Sequence, residues 1–155
     1  MKNIALTALA CVVFGFPLLS EARDELFDVA ITDALSAPDA ATRLKLDEIA
    51  FRFGDELHSE IEKHLGEYST NKRTRALGRS ASEACHWVFL TAMLELQKRA
   101  ESLGANGVVN IRSNWRNEQT SSSTTYVCAK GGVMAGVALI GDFVVLAGGD
   151  SKGSR

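Results

Sequence analysis

Residues 80–113, SASEACHWVFLTAMLELQKRAESLGANGVVNIRS, hold the reading that decides the fold. Ser80 followed three residues later by Glu83 is a capping box, which satisfies two of the free amide donors at a helix start. Cys85, Phe89, Ala92, Met93, Leu96, Ala100 and Leu103 then recur at three- and four-residue spacing, one apolar stripe down one helical face. Gly104 supplies the left-handed position that ends such a helix. The spacing therefore predicts a helix over Ala81–Leu103 with Cys85 facing the interior. After it the period changes to two, Val109 and Ile111 alternating with Asn110 and Arg112, which predicts a strand over Gly107–Ser113.

Downstream, Asn114–Thr125 is polar and rich in Ser and Thr, and reads as an exposed hairpin connection. Tyr126–Ala129 reads as a strand carrying Cys128. Gly131–Ala147 is almost wholly apolar, and reads as one long strand with a bulge near Gly141-Asp142, or as two strands joined there. Met134, Ala138 and Ile140 would face one way and Val133, Val137 and Leu139 the other. Both faces then need cover, from the helix on one side and from the N-terminal segment or a second subunit on the other.

Upstream, Asp47–Phe53 alternates Ile49, Phe51 and Phe53 with Glu48, Ala50 and Arg52, which predicts a strand ended by Gly54-Asp55. Residues 56–79 read as loop with a second short strand around Tyr68–Arg75. Residues 23–45 give only an apolar stretch, Leu26–Leu35, and a turn at Ser36–Asp39. The expected fold is α+β: one long helix packed on a mainly antiparallel sheet of four or five strands, in the order β-β-α-β-β-β. A single domain over 23–147 is followed by a flexible tail, 148–155.

The chain begins as exported proteins do. Lys2 precedes an apolar run from Ile4 to Leu19, and Ser20-Glu21-Ala22 places small residues at −3 and −1 of a cut after Ala22, marking 1–22 as a signal peptide. The run is broken by Pro17 and is short for a membrane span, though a retained anchor is the alternative reading. Ala8-Leu9-Ala10-Cys11 has the outline of a lipobox, but the apolar run continues to Leu19, whereas a lipidated cysteine closes it. The expected location is the periplasm, with no membrane span once the signal is gone. Removing the segment takes one Lys and one Glu, so the net charge stays at −2. That balance argues against a nucleic-acid surface. Of three cysteines, Cys85 and Cys128 remain, and in an oxidising compartment an even pair reads as a disulfide.

Ala100, Leu103, Gly104, Ala105, Asn106, Val108, Val109, Ile111 and Arg112 form a pattern, A-x-x-L-G-A-N-x-V-V-x-I-R. With Tyr126-Val127-Cys128 and the glycine-bearing final strand, it resembles the YbjQ family, whose name is linked to heavy-metal binding, and the RcsF-like periplasmic domains of envelope stress sensors. The resemblance covers 80–146. It implies the same α+β fold, and a homo-oligomer or a sensing role in the envelope. The chain departs from RcsF-like domains in having two mature cysteines rather than four, and from YbjQ in its export signal and its segment 23–79. There is no G-x-x-x-x-G-K-[ST] loop for an ATPase.

No catalytic set, cofactor or metal site is assigned, and the expectation is a protein that is not an enzyme. His58 and His64 are six residues apart, which suits neither a helix nor a strand face, and His86 points away from Cys85. Cys85 and Cys128 lack the C-x-x-C turn of a redox catalyst. Trp115 and Arg116, in the polar connection, are binding candidates because Trp and Arg dominate binding hot spots; folding of the indole onto the sheet edge is the plainer alternative. Asn106 and Arg112 are ligand candidates, with Asn106 otherwise capping backbone groups at the helix-to-strand corner. Lys72, Arg73, Arg75 and Arg79 form a basic run, either solvated or directed at an anionic envelope partner. The expected function is partner binding or stress sensing in the envelope, with binding of a small ligand or metal as the alternative.

Overall fold

The computed structural model describes residues 24–148, with the side chain of Asp39 left out. The signal segment, Cys11 and the tail beyond Gly148 lie outside the described residues. The elements are β1 Glu25–Ala30, α1 Ile31–Leu35, α2 Pro38–Arg43, β2 Ala50–Phe53, β3 Ile61–Arg75, α3 Ala81–Leu103, β4 Gly107–Trp115, β5 Glu118–Thr120, β6 Thr125–Lys130 and β7 Met134–Leu146.

α3 forms over the residues its stripe predicts. Ser80 Oγ accepts from Glu83 N at 3.1 Å, and Gly104 closes the helix at φ 70°. The Glu83 carboxylate faces Arg79 Nε at 3.8 Å. The stripe packs on the sheet: Phe89 stacks on Tyr126 with ring centroids 4.1 Å apart and on Phe53 at 6.0 Å. Met93 and Leu96 bury in the same cluster as Val137, Leu139, Phe143 and Ile111. Burial without a hydrogen-bond partner raises the pKa of the Tyr126 hydroxyl, with the charge of Asp33 adding to the effect.

The α+β class holds, but the expected sheet does not. Seven strands form one mixed sheet, and two short helices join α3. β7 is its hub. β3 runs antiparallel along the whole of one edge, from Ile61↔Leu146 to Arg75↔Met134. The other edge is shared: β6 pairs with its start at Ala129↔Gly136, and β4 with its later part from Ser113↔Leu139 to Gly107↔Val144. β1 extends the sheet from β6, antiparallel, and β2 from β4, parallel. Where β4 and β6 diverge, Ser113 Oγ accepts the amide of Val127 at 2.8 Å.

Three segments account for the difference: the start of the apolar stretch at Leu26 forms β1, the strand expected only around Tyr68–Arg75 spans Ile61–Arg75, and the polar connection holds β5. Residues 61–75 lack an apolar period because β3 exposes most of its side chains, its backbone being paired by β7 instead. β1 is an edge strand of the same kind. In place of a long polar connection after Ser113, β4 continues to Trp115. Arg116 and Asn117, at φ 54° and 66°, make a two-residue turn into β5 with Trp115 opposite Glu118, the left-handed geometry that suits a tight hairpin. β7 is a single strand, and the irregularity expected at Gly141-Asp142 lies across the ladder in β4. There Asn110 takes φ 51°, the register shifts between Val109 and Arg112, and Asn110 Nδ2 donates to Asp142 Oδ2 at 3.0 Å.

Cys85 of α3 and Cys128 of β6 are joined, their Cα atoms 5.8 Å apart. The second face of the sheet carries two small buried clusters: Ala50, Val109, Val144 and Leu146 at one end, and Trp115, Ala129 and Ala138 at the other. Part of the cover the sequence demanded for β7 thus comes from its own neighbours.

Candidate functional site

The four residues singled out in the sequence are not one site. Asn106 donates Nδ2 to Leu146 O at 3.0 Å and accepts from Leu146 N at 2.7 Å, tying the corner after α3 to the end of β7. Arg112, its side chain 14% exposed, is held by Gln119 Oε1 at 2.7 Å, by Asn110 O at 3.0 Å and by the Glu67 carboxylate. All three of its nitrogens donate within its own sheet. Trp115 is 7% exposed and lies over Gly136, with the Arg73 guanidinium 5.8 Å from its ring. Arg116 sits in the hairpin turn and meets Asp24 at 3.1 Å in the open. Only Trp115 and Arg116 are neighbours, and both serve the sheet margin.

The basic run is divided by the strand that carries it. Lys72 turns to α3 and pairs with Glu95 at 3.0 Å, while Arg73 turns to the other face and Trp115. Glu95's carboxyl is held below its ordinary pKa by the hydrogen bond from Lys72, then by that lysine's charge. Among the described residues no three of His, Cys, Asp and Glu converge as a metal site, and no helix is long and apolar enough to cross a membrane. Ser82 Oγ stands 3.5 Å from His86 Nε2 on the outer face of α3. At that length and open to water, the contact does not activate a hydroxyl.

The other tryptophan is the exposed one. Trp87 follows Cys85 by two residues, which carries it about 200° round the helix, away from the stripe. It is 41% exposed on the outer face of α3. α2 starts on Pro38 and ends with Arg43, and the turn before α3 presents Arg79, whose amide bonds Ala76 O at 3.1 Å. The guanidinium carbon of Arg43 lies 5.0 Å and that of Arg79 5.8 Å from the centre of the Trp87 ring. Within about 6 Å such cations are attracted by the ring face. Nη1 of Arg43 is shielded from solvent and has no hydrogen-bond acceptor. Beside the ring runs a groove of about 440 Å³ between Ala37 and Pro38 on one side and Glu83, His86 and Leu90 on the other. Its lining combines an apolar floor, the indole, and the side chains of Arg79, Glu83 and His86.

A second cavity, about 520 Å³, opens between α1 and β2, with Met93 among its lining, apolar walls at Ile31, Leu35 and Phe51, and Asp47 and Glu56 also lining it. Glu56 is engaged there, accepting from Phe53 N at 2.6 Å.

The sequence contained the signal for Trp87: it is the one large aromatic residue set opposite the helix stripe. Arg43 had no signal, because α2 was not foreseen. No family model, curated protein or solved structure matches the chain.

Proposed function

We propose that the chain is an exported, non-enzymatic binding module of the cell envelope, and that it engages a partner protein through the Trp87 groove. The observation that carries this reading is Trp87 itself, an indole left in solvent between two arginines on a helix whose opposite face is fully buried. Trp and Arg are the residues most enriched where binding energy concentrates, and an indole contributes a large rigid contact surface at small entropic cost. Export is supported by the signal-like segment 1–22 and by the Cys85–Cys128 bond, which persists in oxidising compartments. A sensing role of the kind the RcsF resemblance implies would use the same contact.

The test is site-specific photo-cross-linking in the producing cells, with the reactive group at position 87 and, as control, at position 115. A discrete partner captured from 87 and not from 115 is expected. Cross-links from neither position, or equal capture from both, would sink the groove as the site. N-terminal sequencing of the processed chain should begin at Arg23. A second reading, binding of a small ligand, is favoured by the cavity between α1 and β2. Co-purification of an apolar small molecule, released by denaturation, would support it.

A further inference from the structure

Resting on that reading, we infer that the groove's occupant is an acidic segment of the partner, with a carboxylate taken by Arg43 and Arg79 and an adjacent apolar side chain laid on Trp87. Among the described side chains, the charges around the ring include two guanidiniums and the Glu83 carboxylate. The Arg79–Glu83 pair is 3.8 Å long with both side chains well exposed. Such a pair holds little energy and yields readily to a better acceptor. Arg43 adds a second guanidinium, 5.0 Å from the centre of the Trp87 ring, and hydrogen bonds from a charged donor to a carboxylate are the strong ones. Arginine takes carboxylates through two parallel N–H donors, which fixes the ligand's orientation as well as its charge. Leu90 and Pro38 extend the apolar surface beside the indole, so an acid flanked by an apolar residue fits where an acidic run alone would not.

A lipid surface is the competing source of negative charge, and the structure disfavours it. Electrostatic membrane binding draws on clusters of about four to eight Lys and Arg presented together. Here the run that could supply them is split, Lys72 toward Glu95 on α3 and Arg73 toward Trp115 on the far face. The groove also lies in a concavity between α2 and α3 rather than on a plane.

Random seven-residue peptides displayed on phage and selected against the full disulfide-bonded chain provide the test, with affinity of the enriched peptides read by fluorescence anisotropy. The expected result is a consensus with Asp or Glu beside an aromatic residue or Leu. Trp87→Ala and Arg79→Glu should each weaken binding at least tenfold, and a peptide with its acid changed to Lys should regain affinity for the Arg79→Glu protein. Arg43→Gln serves as second variant should Arg79→Glu unfold. Peptides that need Trp87 but carry no acid would overturn the acidic occupant and leave the groove standing. Enriched peptides indifferent to Trp87→Ala would remove the groove as well. Trp87-dependent retention on phosphatidylglycerol vesicles without acidic peptide selection would replace the segment by a membrane.

Discussion

The indole of Trp115 fills the space a side chain on Gly136 would need: a Cβ there would sit 2.6 Å from Cη2 and 2.7 Å from Cζ3. The two residues belong to β4 and β7, beyond the point where those strands stop pairing, so the ring bridges the fork of the sheet. Gly136→Ala forces the ring or the strand to move, and overpacking of this kind costs about 1–3 kcal/mol. Urea unfolding should show the loss, together with a red shift of Trp115 emission in a Trp87→Phe background.

Trp87 and Trp115 should separate in solution as they do in the fold. Acrylamide should quench the 41% exposed Trp87 far more than the 7% exposed Trp115. Trp87→Phe should therefore remove most of the quenchable fluorescence while changing stability by less than about 1 kcal/mol, as surface substitutions generally do. Equal quenching in the two single-tryptophan proteins would contradict this arrangement.

Asn106 stands in for a missing strand partner at the end of β7. Asn106→Ala leaves the amide and carbonyl of Leu146 without their side-chain partners, at a cost of about 1–3 kcal/mol. Hydrogen exchange should speed up at Leu146, and melting should shift downward. An unchanged exchange rate there would show that the corner is held by other contacts.

Cys85 and Cys128 are 43 positions apart, and cross-linking a loop of that size stabilises a fold by about 4 kcal/mol in the chain-entropy account. The Cys85→Ala, Cys128→Ala double variant, or the reduced protein, should unfold at clearly lower urea concentration. Oxidised and reduced proteins with the same midpoint would show that the bond constrains nothing.

The Lys72–Glu95 pair joins β3 to α3 and sets a small acid sensitivity. Because the folded carboxyl has a lowered pKa, its contribution is complete above the ordinary unfolded value, about 4.3, and is lost as pH falls through the lower folded value. The pair is well exposed, so the effect is about half a kcal/mol or less. Lys72→Met should raise the Glu95 pKa in a carboxyl NMR titration and flatten that part of the stability profile.

Much of the fold was legible where the sequence repeats a period. The α3 stripe, its Ser80 cap and its Gly104 end depend on residues within a few positions of each other, as does the alternation that marks β2 and the first part of β4. The pairing of Cys85 with Cys128 was legible for a related reason, since it rests on a count of cysteines rather than on their placement. What the sequence hid was the full extent of strands whose backbone is satisfied by a distant partner: only Tyr68–Arg75 of β3 read as a strand. β3 is the clearest case, fifteen residues with no apolar period, ordered because β7 pairs along its length.

The two tryptophans show the same division. By itself, the sequence determined that one indole, Trp87, lies off the buried stripe, and it placed the other in a polar stretch. Only the tertiary structure decided that Arg116 and Asn117 turn the chain at once, that β4 therefore reaches Trp115, and that Gly136 leaves room for its ring. It alone brought Arg43 from α2 to the face of Trp87. Helical period and capping are set by neighbours along the chain, whereas a pocket, a bridging ring or a cation over an indole is set by which elements the whole core forces together.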